Sequence, residues 1–143
     1  MKYLLDTNIC IYFLKGLHGL VEKFDEVGFE NLYISEITVA ELKFGAAKSE
    51  KPEKNKKVIE ELVNNFKLIP IYKSLDIYAT EKARLRKAGT IVDDFDILIG
   101  ATAIENKMIL DTNNEKHFDR LTNIEIENWT TPNQAEKAPN TTS

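Results

Sequence analysis

Four short apolar runs and one alternating run are set apart by amphipathic stretches too long for hairpins, and this spacing constrains the chain more than any other feature. Tyr3-Leu4-Leu5, Leu32-Tyr33-Ile34, Leu68-Ile69-Pro70-Ile71, Met108-Ile109-Leu110 and Ile124-Glu125-Ile126-Glu127 read as strands. Between them apolar residues recur at helical spacing: Ile9, Tyr12 and Phe13; Leu20, Phe24 and Val27; Ile37, Ala40 and Phe44; Ile59, Leu62, Val63 and Phe66; Leu75, Tyr78, Ala79 and Leu85. The alternation predicts an α/β fold, an open and mainly parallel sheet flanked by helices in three layers. Pro70 argues for a sheet edge, and the 124–127 run for an edge strand with one wet face. Ser35 or Thr38 is expected to open the third helix, Pro52 the fourth, and Ser74 to cap the fifth. The 143 residues fit one domain, predicted over 1–129. Residues 130–143 carry two prolines and no large apolar group, and are expected to form a disordered tail.

One helix stands apart. Residues 93–104 place three carboxylates in four positions directly before an apolar, small-residue segment. A helix starting there carries Asp96 into the fold, with Gly100 and Ala103 on the same face. Small residues let a helix approach a sheet closely, and an anion held in that contact needs a cation, a donor cluster or a proton. Asp93 and Asp94 fit the plainer role of capping the helix and complementing its dipole.

A local echo ties the two ends of the chain together. Tyr-Leu-Leu-Asp-Thr-Asn at 3–8 and Met-Ile-Leu-Asp-Thr-Asn at 108–113 both run from strand into acid, hydroxyl and amide. In open α/β sheets ligands bind beyond the carboxyl ends of the strands, near the switch in strand order, so two such ends facing one crevice define a site. Asp6, Glu41 and Asp96 lie beside apolar neighbours at positions such a sheet brings to one edge. Glu41 also completes a capping-box pattern with Thr38. At ~4 Å and an effective dielectric near 20, each like-charge pair costs ~4 kcal/mol, so a cluster of all three binds a cation or holds a proton. Oxygen ligands without His or Cys suit Mg²⁺ or Mn²⁺ rather than zinc. His18 and His117 read as loop and helix-surface residues.

The formal charge of −4 argues against a protein that coats nucleic acid nonspecifically. Basic residues are nevertheless gathered locally, at Lys48, Lys51, Lys54, Lys56 and Lys57 and at Lys82, Arg84, Arg86 and Lys87. Both runs are consistent with a solvated helix face or with phosphate contacts. Tyr12, Phe13 and Phe44 are expected in the core, with base stacking as the alternative. A single cysteine, Cys10, provides no internal disulfide. The short apolar run before Asp6 is too brief for a membrane span, so a soluble cytoplasmic protein is expected.

With these residues assembled, a resemblance emerges. Leu-Asp-Thr-Asn (5–8), Ser-Glu-Ile-Thr-Val-Ala-Glu-Leu-Lys-Phe-Gly (35–45), Asp-Phe-Asp-Ile-Leu-Ile-Gly-Ala (94–101) and Asp-Thr-Asn-Asn-Glu-Lys-His-Phe (111–118) resemble the PIN domain. More narrowly they resemble the VapC toxins of type II toxin–antitoxin pairs. Ala-Ala-Lys-Ser and Pro-Glu-Lys-Asn after the second motif, and Ile-Glu-Ile-Glu-Asn-Trp near the end, are similar to the subgroup that cleaves initiator tRNA in its anticodon region.

The resemblance implies a Mg²⁺-dependent endoribonuclease with Asp6, Glu41 and Asp96 in catalysis. Asp6 and Asp96 would ligate the metal, and Glu41 would act directly or through water. It also implies a homodimer, a VapB-type antitoxin that places a basic residue among the carboxylates, and a tRNA substrate. Many PIN domains carry a fourth acid where this chain has Thr112-Asn113-Asn114, which leaves a second metal open; Asp93 or Asp111 could supply the missing charge. Thr7, Asn8 and Thr112 offer neutral donors. Two other classes remain: a PIN-like scaffold that binds without catalysis, and a haloacid dehalogenase-type phosphatase using Asp6 as nucleophile. The second lacks a second aspartate, since Asn8 stands there.

Overall fold

The computed structural model describes residues 1–131, so residues 132–143 of the expected tail lie outside the described residues. Thr130 belongs to the described part, its N–H donating to Asn128 Oδ1 at 3.0 Å. The elements run β1 (Tyr3–Leu5), α1 (Thr7–Leu14), α2 (Leu20–Val27), β2 (Leu32–Ser35), α3 (Glu36–Ala47), α4 (Pro52–Val63), β3 (Lys67–Ile69), α5 (Leu75–Lys87), α6 (Asp94–Glu105), β4 (Ile109–Asp111), α7 (Glu115–Phe118) and β5 (Glu125–Glu127). All five strands pair in parallel, in the order β3-β2-β1-β4-β5. Both expected edge strands are edges, and Pro70 falls just past the last residue of β3.

The period of two along each strand sends neighbouring side chains to opposite faces, where each meets a separate core. Leu5, Leu32 and Ile34 pack with Ile9, Leu20, Phe24, Leu42, Leu62 and Phe66 on one face. Phe13 stacks on Phe24 at 4.4 Å there, and Phe29 stacks on Phe66 at 5.9 Å. Leu4, Tyr33 and Leu110 meet Ile37, Leu85, Ile97, Ile99, Phe118 and Leu121 on the other. At Gly100, α6 packs tightly against its neighbours: a methyl added there would overlap Leu121 Cδ1.

Three local expectations give way to tertiary contacts. Of the two residues expected to open α3, Ser35 caps it, its Oγ accepting from Ile37 N at 2.9 Å. Thr38 is buried inside the helix, so Glu41 completes no capping box. Ser74 makes no capping hydrogen bond, since the turn formed by Tyr72–Ser74 runs directly into α5 with Ser74 already in helical conformation. The buried face of α5 is also rotated from the apolar pattern: Leu75 and Ala79 are exposed, while Glu81 and Leu85 are buried. Glu81 tolerates burial because Arg84 donates to both its oxygens and Thr122 N donates to Oε1.

Candidate active site

The strand order reverses between β1 and β4, and the register pairs Leu5 with Asp111, so the next residues, Asp6 and Thr112, emerge side by side. This is the crevice where an open α/β sheet binds ligands. Asp6 leaves β1 as the N-cap of α1, its Oδ1 accepting from Thr7 N at 2.8 Å. Its Oδ2 accepts from Thr112 Oγ1 at 2.8 Å, and the residue is only 4% exposed. The two echoed strand ends therefore share one hydrogen bond.

α3 begins at the carboxyl end of β2 and turns Glu41 toward the same place, where Glu41 Oε1 accepts from Thr7 Oγ1 at 2.7 Å. Thr38 Oγ1 lies 3.2 Å from that hydroxyl and completes the buried threonine pair behind it. α6 supplies Asp96 from its first turn, with Asp93 as N-cap accepting from Phe95 N at 2.8 Å. Asp94 points elsewhere, pairing with Lys82 at 2.8 Å and accepting from the Tyr78 hydroxyl. Asp96 Oδ2 stands 3.5 Å from Nδ1 of His117 on α7, an ion pair whenever the imidazole is protonated.

The three acids feel one another. Burial is the first cause that lifts each carboxyl above its ordinary value. Asp96 further raises Asp6, and Asp6 and Asp93 raise Glu41. Asp96 is raised by Asp93 and Glu41 and relieved by His117. Hydrogen bonds from Thr112 and Thr7 oppose the shift at Asp6, and the one from Thr7 opposes it at Glu41. Three buried or half-buried acids destabilised in this way favour a cation or a proton.

The donors present are carboxylate oxygens flanked by threonine hydroxyls, a set that fits a hard divalent ion. Among the described residues, no three His, Cys, Asp or Glu side chains are gathered tightly enough to form a ready metal cage. Protein donors occupy Asp6 and one oxygen of Glu41, whereas Glu41 Oε2 and Asp96 Oδ1 accept no protein hydrogen bond among the described residues. The cluster is one of electrostatic proximity: among the described residues Glu41 Oε2 and Asp96 Oδ1 are free of protein donors, and each Asp6 oxygen, holding one donor, keeps a second lone pair for an ion.

Asp111, one candidate for the missing fourth acid, is held in a setting that resists its charge. It is fully buried, its Oδ1 accepts from Trp129 N at 3.0 Å, and burial pushes its pKa up to about 8, which disfavours its charged form. Asn113 donates from Nδ2 to the Tyr12 hydroxyl at 3.1 Å, and its Oδ1 is buried with no protein hydrogen bond among the described residues. His117 was not legible as a site residue in the sequence. The only signal was its place one helical turn beyond Thr112-Asn113-Asn114, which becomes informative once α7 is known to pack on α6.

Phe44 departs from the expected core placement. Phe13 is packed as expected, but Phe44 is 64% exposed, on the surface of α3 one turn from Glu41. Of the basic run on α5, Lys82 and Arg84 are tied to Asp94 and Glu81.

Comparison with known proteins follows the same lines. A family model for the PIN domain matches residues 3–124. The chain is similar to ribonuclease VapC2 of Haemophilus influenzae, 37% identical over 131 residues that make up 90% of this chain and 98% of the relative. It is 32% identical to a tRNA(fMet)-specific endonuclease VapC of Salmonella typhimurium, over 90% and 98% of the two chains. Among solved structures, the DNA-bound VapBC of Salmonella typhimurium superposes with a TM-score of 0.83 at 32% identity, covering 90% of this chain and 98% of the other. VapBC2 of Rickettsia felis, bound to a promoter DNA fragment, gives 0.83 at 33% identity, covering 90% and 99%.

Proposed function

Because the chain belongs to the PIN-domain family and, within it, to the VapC ribonucleases, we propose that it is a divalent-metal-dependent endoribonuclease toxin that cuts tRNA and is held in check by a VapB-type antitoxin. The observation that carries this reading is the convergence of Asp6, Glu41 and Asp96 from β1, α3 and α6 on one crevice, each raising the pKa of another.

In this reading Asp6 and Asp96 hold Mg²⁺, with Mn²⁺ as a substitute. The ion, when bound, lowers the pKa of water and neutralises charge on the phosphodiester. Thr7 and Thr112 fix Glu41 and Asp6 by hydrogen bonds, so these acids do not spend binding energy on finding their rotamers. Glu41 presents Oε2 to accept a proton from the attacking water. His117 stands 3.5 Å from Asp96 Oδ2, which leaves Oδ1 without a protein partner among the described residues.

Initiator tRNA, cut in the anticodon region, is the substrate this reading favours, supported by the similarity to the Salmonella tRNA(fMet)-specific endonuclease. The antitoxin partner is supported by the likeness to VapBC complexes; the reading also includes a homodimer. Cytoplasmic action follows in this reading from the likeness to the VapC ribonucleases; among the described residues no helix is long and apolar enough to cross a membrane. The reading of a non-catalytic scaffold draws on the amide at the fourth-acid position. Family membership leaves the phosphatase alternative without support.

Purified protein is expected to cut tRNA in Mg²⁺ and to lose that activity in EDTA, or on Asp96→Ala or Asp6→Ala. Cleavage unchanged by these variants rejects the assignment. Toxicity retained in a cleavage-dead variant favours the scaffold. Sequencing the RNA ends made after brief induction identifies the substrate.

A further inference from the structure

Glu81 is 6% exposed in the middle of α5, outside the acid cluster, and both its carboxylate oxygens are engaged. Arg84 grips it as a fork, Nε donating to Oε2 at 3.0 Å and Nη2 to Oε1 at 3.1 Å. Thr122 donates its N–H to Oε1 and its hydroxyl to Oε2, the latter at 3.3 Å. Arg84 Nη2 also donates to the Arg120 carbonyl at 2.6 Å. The backbone is thus held on both sides of Leu121, in a segment where Asn123 takes a left-handed φ of 66°. All of these contacts lie within the chain, between α5 and the residues leading to β5. For stability alone, well-packed apolar side chains would do as well as a buried ion pair. What the carboxylate and the planar guanidinium add is direction, because the fork meets its acceptors in one geometry.

The clamped segment follows α7 directly. Leu121, between the two clamped residues, packs over Gly100 together with Phe118, and Gly100 lies one turn beyond Asp96 on α6. The other end of α7 is tied as well: Asn114 N donates at 2.9 Å to Thr112 Oγ1, the hydroxyl that binds Asp6. Residues 115–119 are therefore strung between two polar anchors, one at Asp6 and Thr112 and one at Glu81 and Arg84. His117 sits in the middle of that span, its Nδ1 3.5 Å from Asp96 Oδ2. Such a distance is the outer limit of a hydrogen bond, so a displacement of about half an ångström decides whether the contact is made.

We propose that Glu81, gripped by Arg84, is a positioning residue of the acidic crevice: its hold on Arg120 and Thr122 seats α7 on α6 and sets the reach of His117 to Asp96. The consequence for catalysis rests on the ribonuclease reading of that crevice. Released from His117, Asp96 is free to change rotamer, so the reactive geometry is reached less often while the surface that meets RNA stays the same. The loss falls on kcat rather than on KM.

The test uses the full chain with Glu81→Gln and Arg84→Lys. Glu81→Gln keeps the shape and one acceptor oxygen, and Arg84→Lys keeps the charge but cannot grip the carboxylate and the Arg120 carbonyl together. The chain has two histidines, so His18→Gln assigns the His117 imidazole signals in NMR spectra taken at one fixed pH. Both variants should move those signals in the direction seen in Asp96→Asn, lower kcat for RNA cleavage about tenfold or more, and leave KM within about twofold. In His117→Ala, adding Glu81→Gln should cause little further loss of kcat, because Glu81 acts through the imidazole. All kinetics are compared well below the lowest thermal midpoint, so that unfolding does not enter. If Glu81→Gln does not fold, Arg84→Lys and Thr122→Val carry the same comparison.

Unmoved His117 signals or an unchanged kcat in a folded variant overturn the proposal. So does an equal loss of kcat in the His117→Ala background, which would reduce the clamp to a contribution to stability. If the unsubstituted protein cuts no RNA while Glu81→Gln still moves the His117 signals, the positioning stands and the ribonuclease reading fails. If it cuts, and Glu81→Gln cuts equally well with unmoved signals, only the positioning fails.

Discussion

Thr112 Oγ1 donates to Asp6 Oδ2 at 2.8 Å, joining strand ends 106 residues apart. The same hydroxyl accepts from Asn114 N at 2.9 Å, so it also shapes the turn into α7, the helix carrying His117. Thr112→Val removes both bonds and leaves a buried carboxylate short of a donor, at a cost of about 1–3 kcal/mol. It should also raise the Asp6 pKa further and weaken Mn²⁺ binding. Thr112→Ser keeps the hydroxyl and should restore most of both, as read by urea denaturation and calorimetry. Equal effects from Val and Ser would remove the hydrogen bond from the account.

The raised carboxyls make a sign prediction for metal binding. Asp6, Glu41 and Asp96 all hold protons more tightly than ordinary carboxyls, whose values are 3.8 for Asp and 4.5 for Glu. Binding a cation must expel whatever protons the cluster holds, so affinity should increase with pH until all three are ionised. Adding Mn²⁺ to lightly buffered protein near pH 5 should acidify the solution. For the metal-free fold the sign is opposite: stability falls as pH rises from the ordinary values through the raised ones. Asp96→Asn should therefore raise the thermal midpoint in EDTA while abolishing cleavage. A lowered midpoint would mean that the charge stabilises the fold.

Asp111, whose backbone carbonyl accepts from Asp6 N at 3.0 Å, provides a second pH signature. Its pKa is up to about 8 in the fold against an ordinary 3.8, mainly because it is buried. The folded state thus binds a proton that the unfolded chain has released. Its contribution to stability is complete below pH 4 and is lost between about pH 4 and 8, with a slope of at most ~1.4 kcal/mol per pH unit. Asp111→Asn mimics the neutral acid and keeps an acceptor for Trp129 N. It should match the parent near pH 4 and become more stable than it as pH rises, with the gap constant above pH 8. Parallel stability–pH curves would contradict this.

Gly100 is required by close packing rather than by backbone conformation. Gly100→Ala meets Leu121, and also approaches Ile124 and Phe118. Because Leu121 is buried, the overlap should cost about 1–3 kcal/mol. Phe118 and Leu121 flank the short segment that follows His117, so the substitution should also disturb the His117–Asp96 contact and lower cleavage more than it lowers RNA binding. Unchanged denaturation midpoints would show that Leu121 swings aside freely.

The sequence by itself determined the layers. Period-two apolar runs separated by long amphipathic segments allow little besides a parallel sheet covered on both faces, and the doubled Asp-Thr-Asn placed a crevice at two strand ends. These features are local, repeated and set by backbone geometry, so they survive without knowledge of long-range contacts. Tertiary structure decided what each polar side chain does there. Glu41 fits a capping box in the sequence, yet in the fold it binds Thr7, because Ser35 caps α3 and Thr38 is buried. Asp111 reads as a spare charge, but its charged form is disfavoured because β5 and Trp129 close over it. Phe44 and His117, which helical spacing assigns to core and surface, stand at the rim of the acidic crevice. Which face of a helix is covered, and which charge is desolvated, depends on neighbours distant along the chain, and those neighbours are fixed only when the sheet has brought them together.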